Sequence, residues 1–181
     1  MCCGALAWIE DGGAAALRIA ALATDRVLSI VGLNSVMPSG FDGTAAANIG
    51  ADETTAAGLL AAYAAGRDAL SGMVGQFDAK ASEADTNTLC DTVLNDMTEE
   101  SYKTYFGVWA GCAFTEEVKG LATKTIFVVG EQDAAMAMNY CQPTLDAMPN
   151  ATAVTVVGGH FAPLSNTDGA LVKAVNAFFS A

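Results

Sequence analysis

Two titratable residues each follow a short apolar run in the last third of the chain. Asp133 comes after residues 126–129, and His160, the only histidine, comes after residues 153–157. A carboxylate that orients an imidazole forms the acid–base half of a nucleophile–base–acid relay. Residues 126–160 therefore predict a pair of side chains that can activate a nucleophile.

The elements that must position this pair are predicted from the same pattern. The apolar runs before Asp133 and His160 are short and contain many β-branched residues, which is typical of buried strands. In open α/β sheets, ligands bind at the carboxyl edge of the strands. We therefore expect both side chains at that edge, with Asp133 also capping the helix that follows it.

The beginning of the chain predicts a second pair of strands. Residues 4–9 and 27–33 are apolar, and the intervening residues 14–23 are rich in alanine and leucine, which favours a helix. A strand–helix–strand order indicates a crossover between parallel strands.

The middle of the chain predicts helices and no strand. These helices are expected at residues 53–70 with an interruption at 71–75, at 85–94 with Asp85 or Thr86 as the cap, at 98–110 and, as a short link, at 115–121. Two more helices are expected at residues 135–148 and 167–179. The fold class that follows is α/β, with a short parallel sheet of about four strands flanked by helices. Residues 1–35 and 119–181 would form the core, and residues 36–118 an all-helical insertion.

Composition narrows the function classes. The chain has 181 residues, enough for one domain, and 8 basic against 20 acidic residues give a net charge of -12. This charge argues against nucleic acid and anionic membrane surfaces as partners. No run is long and apolar enough for a transmembrane helix, and the start lacks the basic region of a signal peptide.

The cysteines indicate a reducing compartment. Five cysteines lie at positions 2, 3, 90, 112 and 141, and no two of them have CxxC spacing. A disulfide scaffold or a zinc site is therefore not expected. Reduced thiols are typical of the cytosol. We expect a cytoplasmic protein without a metal ion or another cofactor.

Three segments resemble the α/β-hydrolase family. IFVVGEQD at residues 126–133 resembles the acid strand and turn of that family, VVGGHFAPL at 156–164 resembles its histidine loop, and residues 169–179 resemble its final helix. The family order is nucleophile, acid, histidine, and Asp133 precedes His160 here.

The N-terminal segment resembles the region around the nucleophile elbow of the same family. Residues 12–20 are similar to the helix after the elbow, and residues 26–35 to the next strand. The elbow pattern G-x-S-x-G falls on residues 8–12, where only the last glycine matches. Trp8 occupies the first small position and Glu10 the nucleophile position.

The resemblance implies a non-standard nucleophile position. Some members of the family use aspartate there, and Glu10 is one methylene longer. The backbone N–H of Asp11 would be the remaining oxyanion donor. Cys2 and Cys3 lie too early for the elbow, and Ser35 is a distant alternative hydroxyl at the same sheet edge.

The resemblance also implies what lies around the site. The family sheet has eight strands with the elbow after the fifth, so the chain resembles a truncated, C-terminal half. Residues 36–118 would be a helical cap that offers apolar walls to an acyl or alkyl group; the alternative is an all-helical insertion that only packs a core. The strand at 4–9 would then be an unpaired sheet edge, which predicts a homodimer through that edge.

Two functions remain open from the sequence. One is a hydrolase of small ester or lactone substrates with an apolar acyl group, in which Asp133 orients His160. Here His160 activates either water or an attack assisted by Glu10. The other is an inactive, truncated homologue that acts in binding or association.

Overall fold

A four-stranded parallel sheet lies at the centre of the chain. The structure, a computed structural model, describes residues 4–9, 11–49, 55–78, 81–161 and 169–181. The strands lie in the order β1-β2-β3-β4. They are β1 Gly4–Ile9, β2 Val27–Leu33, β3 Lys124–Gly130 and β4 Ala151–Val156. The predicted α/β class with four parallel strands is confirmed.

The strand register brings the carboxyl ends of the strands to one edge. Leu33 at the end of β2 pairs with Val128, and Gly130 at the end of β3 pairs with Val156 at the end of β4. Whatever follows these strands must therefore share one rim of the sheet.

Helices account for most of the remaining described residues. In chain order they are α1 Asp11–Leu22, α2 Gly43–Asn48, α3 Thr55–Ala65, α4 Arg67–Phe77, α5 Glu83–Asp96, α6 Glu99–Ala110, α7 Thr115–Val118, α8 Met138–Ala147 and α9 Ala170–Ser180. None of the helices in these parts of the chain has the length and apolarity needed to cross a bilayer.

Helices cover both faces of the sheet. Neighbouring residues of a strand point to opposite faces, and each face has its own cluster of buried side chains. Phe127 packs into a cluster with Leu17 of α1 and Tyr140 of α8. Its neighbour Val128 packs into a second cluster with Phe178 of α9. All five side chains are buried.

The helices between β2 and β3 share a smaller core of their own. Tyr102 of α6 is fully buried, and its hydroxyl donates a hydrogen bond of 2.7 Å to the carbonyl of Leu59 in α3. Leu70 of α4 and Cys90 of α5 pack around it. One buried aromatic ring thus connects four helices that the sequence predicts only separately.

Two boundaries in this segment differ from the prediction. The helix expected at residues 53–70 ends at Ala65, because Gly66 adopts φ +85, and α4 then runs through the predicted interruption at 71–75. Only glycine adopts such a φ without strain. The helix expected from residue 85 begins at Glu83, because the hydroxyl of Ser82 accepts the N–H of Asp85.

Candidate functional site

Asp133 and His160 form a buried hydrogen-bonded pair. Oδ2 of Asp133 lies 2.9 Å from Nδ1 of His160, and the two side chains are 0 % and 5 % exposed. The other carboxylate oxygen of Asp133 accepts the backbone N–H of Met136 at 2.8 Å. Because a carboxylate accepts and does not donate, this hydrogen bond requires the tautomer of His160 with its proton on Nδ1, in which Nε2 is the basic nitrogen. This is the arrangement in which an imidazole acts as a general base.

The turn that carries Asp133 is tied to the end of β4. The N–H of Glu131 donates to the carbonyl of Val156, and the N–H of Gln132 donates to the carbonyl of Gly158, both at 2.9 Å. The turn closes with the N–H of Asp133 on the carbonyl of Gly130 at 3.0 Å. The acid turn (residues 130–133) and the histidine turn (residues 157–161) therefore form one hydrogen-bonded unit.

The prediction that Asp133 caps the helix after it is wrong. Helix α8 begins at Met138, and its N-cap is Ala137, which has no side-chain cap hydrogen bond. Asp133 instead closes a separate turn through the N–H of Met136. Because that turn precedes the helix, the carboxylate is held beside His160 rather than at the helix end.

Asn34 binds both turns, and the sequence analysis did not identify it. Its Nδ2 donates to the carbonyls of Gly159 at 2.7 Å and His160 at 2.5 Å. Its Oδ1 accepts the N–H of Gly130 at 3.0 Å. Asn34 is 1 % exposed and adopts φ 45, a left-handed conformation that asparagine tolerates better than most residues. A polar residue directly after β2 was the only signal in the sequence.

A second buried carboxylate, Asp78, lies against the histidine turn. It follows α4 and is 3 % exposed. Its Oδ2 accepts the N–H of Phe161 at 3.3 Å, and a Cβ on Gly159 would overlap its carboxyl group. The neighbouring Phe77 accepts the N–H of Ala134 at 3.2 Å. The end of α4 is therefore fastened to both turns, although nothing in the sequence pattern distinguishes Asp78.

A small apolar cavity lies beside His160. Its volume is about 60 Å³. Its walls come from α4 and α6, from the segment after β2 and from the two turns: Val36, Met73, Val74, Phe77, Tyr105, Phe106, Trp109, Met136, His160 and Phe161. The ring of Phe77 lies 5.2 Å from that of His160, centroid to centroid. The histidine thus meets an apolar chamber that can receive a small apolar group.

The structure does not bring all predicted residues together. Glu10, Cys2 and Cys3 lie outside the described residues. Asp11 is the first residue of α1, and its side chain is likewise not described. Ser35 is 1 % exposed, does not line the cavity, and its hydroxyl has no hydrogen-bond partner among the described residues.

Ser35 fills a gap between two elements. A Cβ on Gly13 of α1 or on Gly32 of β2 would overlap its hydroxyl. The side chain is thus enclosed where α1 meets β2. This packing explains the small residues around it and gives no access to a substrate.

Two further ionisable groups near the site are held in their protonated form by burial. Burial raises the pKa of the Cys141 thiol to about 12, and the charge of Asp133 adds to the effect. This thiol therefore remains protonated and is a poor nucleophile. Burial raises the pKa of Tyr140 as well. Within the described segments, no group of three or more His, Cys, Asp or Glu side chains could hold a metal ion.

Solved structures share this fold over 94% or more of the chain. A bromoperoxidase from Bacillus anthracis superposes with a TM-score of 0.79 at 18% identity, covering 98% of this chain and 67% of its own. An esterase from Exiguobacterium antarcticum gives 0.76 at 11% identity, covering 94% and 65%. An enol-lactonase from Burkholderia xenovorans gives 0.71 at 14% identity, covering 99% and 66%.

These similarities identify the fold as that of the α/β-hydrolases. The resemblance predicted from the sequence is thereby confirmed at the level of the fold. The chain spans about two thirds of the length of these structures. No protein-family model and no curated protein matches the sequence.

Proposed function

We propose that the protein hydrolyses small esters or lactones that carry a short apolar acyl group. The observation that carries this proposal is the buried Asp133–His160 pair, with a distance of 2.9 Å between Oδ2 and Nδ1, at the wall of an apolar cavity. Structures with this fold include an esterase and an enol-lactonase.

The proposed roles of Asp133 and His160 follow from this geometry. Asp133 orients the imidazole, and Nε2 of His160 takes a proton from water while the water oxygen attacks the acyl carbon. The imidazolium then returns the proton to the departing alkoxide, giving an acid and an alcohol. The resemblance of residues 8–12 to the nucleophile elbow supports two further proposed roles: Glu10 would assist the attack as the alternative to activation of water alone, and the backbone N–H of Asp11 would donate to the oxyanion.

The size and lining of the cavity support a short acyl group. A cavity that holds benzene measures roughly 150 Å³, and this one measures about 60 Å³.

We propose that residues 36–118 act as a cap and that residues 1–35 and 119–181 form the core. Met73 and Phe77 of α4 and Trp109 of α6 are among the walls that this cap supplies.

Ester hydrolysis by defined variants tests the proposal. The wild-type protein is expected to cleave p-nitrophenyl acetate faster than p-nitrophenyl octanoate, and His160→Ala is expected to have background activity. Asp133→Asn should lower kcat by about 10³–10⁴, because the amide favours the wrong tautomer of the imidazole. Glu131→Gln removes an exposed carboxylate from the same turn and is the control, with unchanged activity expected. Wild-type activity no higher than that of His160→Ala would refute the proposal.

A second candidate function is association without catalysis. The turn at residues 8–12 has no serine or cysteine at the elbow position, which favours an inactive homologue. Strand β1 is at the end of the sheet order, and its described partner is β2 alone. An unpaired strand edge is a template for another chain. We propose a homodimer that pairs through β1.

Light scattering at high protein concentration tests the dimer. Ala5→Lys places a charge on β1 at an exposed position and should give a monomer. Leu28→Lys is the control, because Leu28 is 63% exposed on the inner strand β2, and its dimer should persist. A monodisperse wild-type monomer would contradict the proposal.

A cytoplasmic location is proposed from the thiols. Cys90 and Cys141 are buried and form no disulfide. Reduced cysteines are the rule in the cytosol. Alkylation of the denatured protein isolated from its host would distinguish thiols from disulfides.

A further inference from the structure

We infer that Asn34 is a positioning residue that holds His160 in register with Asp133. Its side chain connects the end of its own strand to the ends of two others. Asn34 follows β2, accepts the N–H of Gly130 at the end of β3, and donates to the carbonyls of Gly159 and His160 beyond β4.

The contacts act on the backbone of the histidine itself. The carbonyl of His160 lies 2.5 Å from Nδ2 of Asn34, and that of the preceding residue lies 2.7 Å away. These bonds fix the peptide units on both sides of the Cα of His160. The direction of the imidazole toward Asp133 therefore depends on the amide of Asn34.

The same amide also fixes the acid turn. Its Oδ1 accepts the N–H of Gly130 at 3.0 Å, and the carbonyl of Gly130 accepts the N–H of Asp133 at 3.0 Å. One planar group thus sets the separation of the two turns. Only an amide supplies two donated bonds and one accepted bond here, since a carboxylate accepts only and an ammonium donates only.

The backbone of Asn34 is held in place as well. Its own N–H donates to the carbonyl of Val128 at 2.9 Å, which anchors it to β3. Its φ of 45 turns the chain out of β2. Asparagine accepts this conformation more readily than most other residues with a side chain. Conformation and hydrogen bonding therefore select the same residue.

Two substitutions separate the side chain from the backbone. Asn34→Gly keeps the left-handed conformation without strain and removes all the amide bonds. Asn34→Asp keeps the shape of the side chain and the oxygen that accepts the N–H of Gly130. Its second oxygen replaces Nδ2 and would face the carbonyl oxygens of Gly159 and His160, which it repels. Asn150→Ala is the matched control, because the amide of Asn150 also donates to a carbonyl, that of Ala122 at 2.8 Å, in an exposed turn before β4.

Nuclear magnetic resonance of His160 is the direct measurement. His160 is the only histidine, so its imidazole signals need no assignment. The wild type and Asn150→Ala should show a slowly exchanging Nδ1–H. Both Asn34 variants should lose that Nδ1–H signal. A folded Asn34 variant that keeps the signal would overturn the inference, and the near-isosteric Asn34→Asp decides if the glycine variant unfolds.

Kinetics give the second readout, and this part rests on the proposed ester hydrolysis. Both Asn34 variants should lower kcat by about 100-fold with unchanged KM, as expected for a misplaced catalytic group. Unchanged kcat would overturn the inference. If the wild type is inactive, the proposed function fails, and the resonance of His160 still decides the role of Asn34.

Discussion

Gly159 shows how closely the histidine turn is packed. The carboxyl group of Asp78 occupies the space that a side chain at position 159 would need. Asp78 is also bound to the N–H of Phe161, so it cannot move away without losing that bond. A glycine is therefore required directly before His160 because of contact rather than because of its backbone conformation.

Replacement of this glycine by alanine tests the packing. Gly159→Ala should lower the free energy of unfolding by about 1–3 kcal/mol, the usual cost of overpacking. Gly72→Ala is the control, since a Cβ there meets no atom and lies in helix α4, and it should raise stability by up to about 1 kcal/mol. Urea unfolding measures both. Equal stability of Gly159→Ala and the wild type would contradict this account of the turn.

At the scale of elements, α6 is the helix that supplies the aromatic wall of the cavity. Tyr105, Phe106 and Trp109 lie on it and line the cavity. Its start is fixed by a capping box in which the hydroxyl of Thr98 accepts the N–H of Ser101, and the hydroxyl of Ser101 accepts the N–H of Thr98. The cap therefore fixes where α6 begins, and with it where the aromatic wall lies.

Removing the cap should weaken the helix. Thr98→Ala is expected to lower the free energy of unfolding by about 1 kcal/mol, because the N–H of Ser101 loses its acceptor. Thr104→Ala is the control within the same helix. The exposed hydroxyl of Thr104 donates a hydrogen bond to the carbonyl of Glu100 one turn earlier, and alanine has the higher helix propensity. The melting temperature should fall for the first variant only. A fall for Thr104→Ala and none for Thr98→Ala would refute the capping role.

At the scale of the whole molecule, buried acids set the response to alkali. Burial raises the pKa of Cys141 from 9.0 to about 12 and that of Tyr102 from 10.0 to about 12. In the unfolded chain both groups ionise at their ordinary values. The folded state then binds more protons than the unfolded state, so stability falls as pH rises.

We expect full stability below about pH 9 and a progressive loss toward about pH 12. Urea unfolding at a series of pH values measures the loss. In Cys141→Ala the decline in stability should be shallower. The difference should be clearest between pH 9 and 10, because in the unfolded chain the thiol ionises before the phenol of Tyr102. The same slope in both proteins would show that the thiol is not shielded from ionisation by folding.

The sequence by itself determined the strands and most of the helices. Alternation of apolar runs with helical stretches predicted the four strands and their parallel direction, because a crossover through a helix is the usual connection between parallel strands. It also placed Asp133 and His160 at strand ends, which predicts a shared edge. Local propensity was sufficient for these features, since each depends on residues close together in the chain.

Only the tertiary structure decided which residues surround the pair. Asn34 lies 126 positions before His160 and Asp78 lies 83 before Phe161, yet both bind the histidine turn. No periodicity relates residues so far apart in the chain. Their contacts arise because parallel strands bring distant turns to one rim and α4 folds back over it. The separation of Asp133 and His160, and the cavity beside them, follow from that packing.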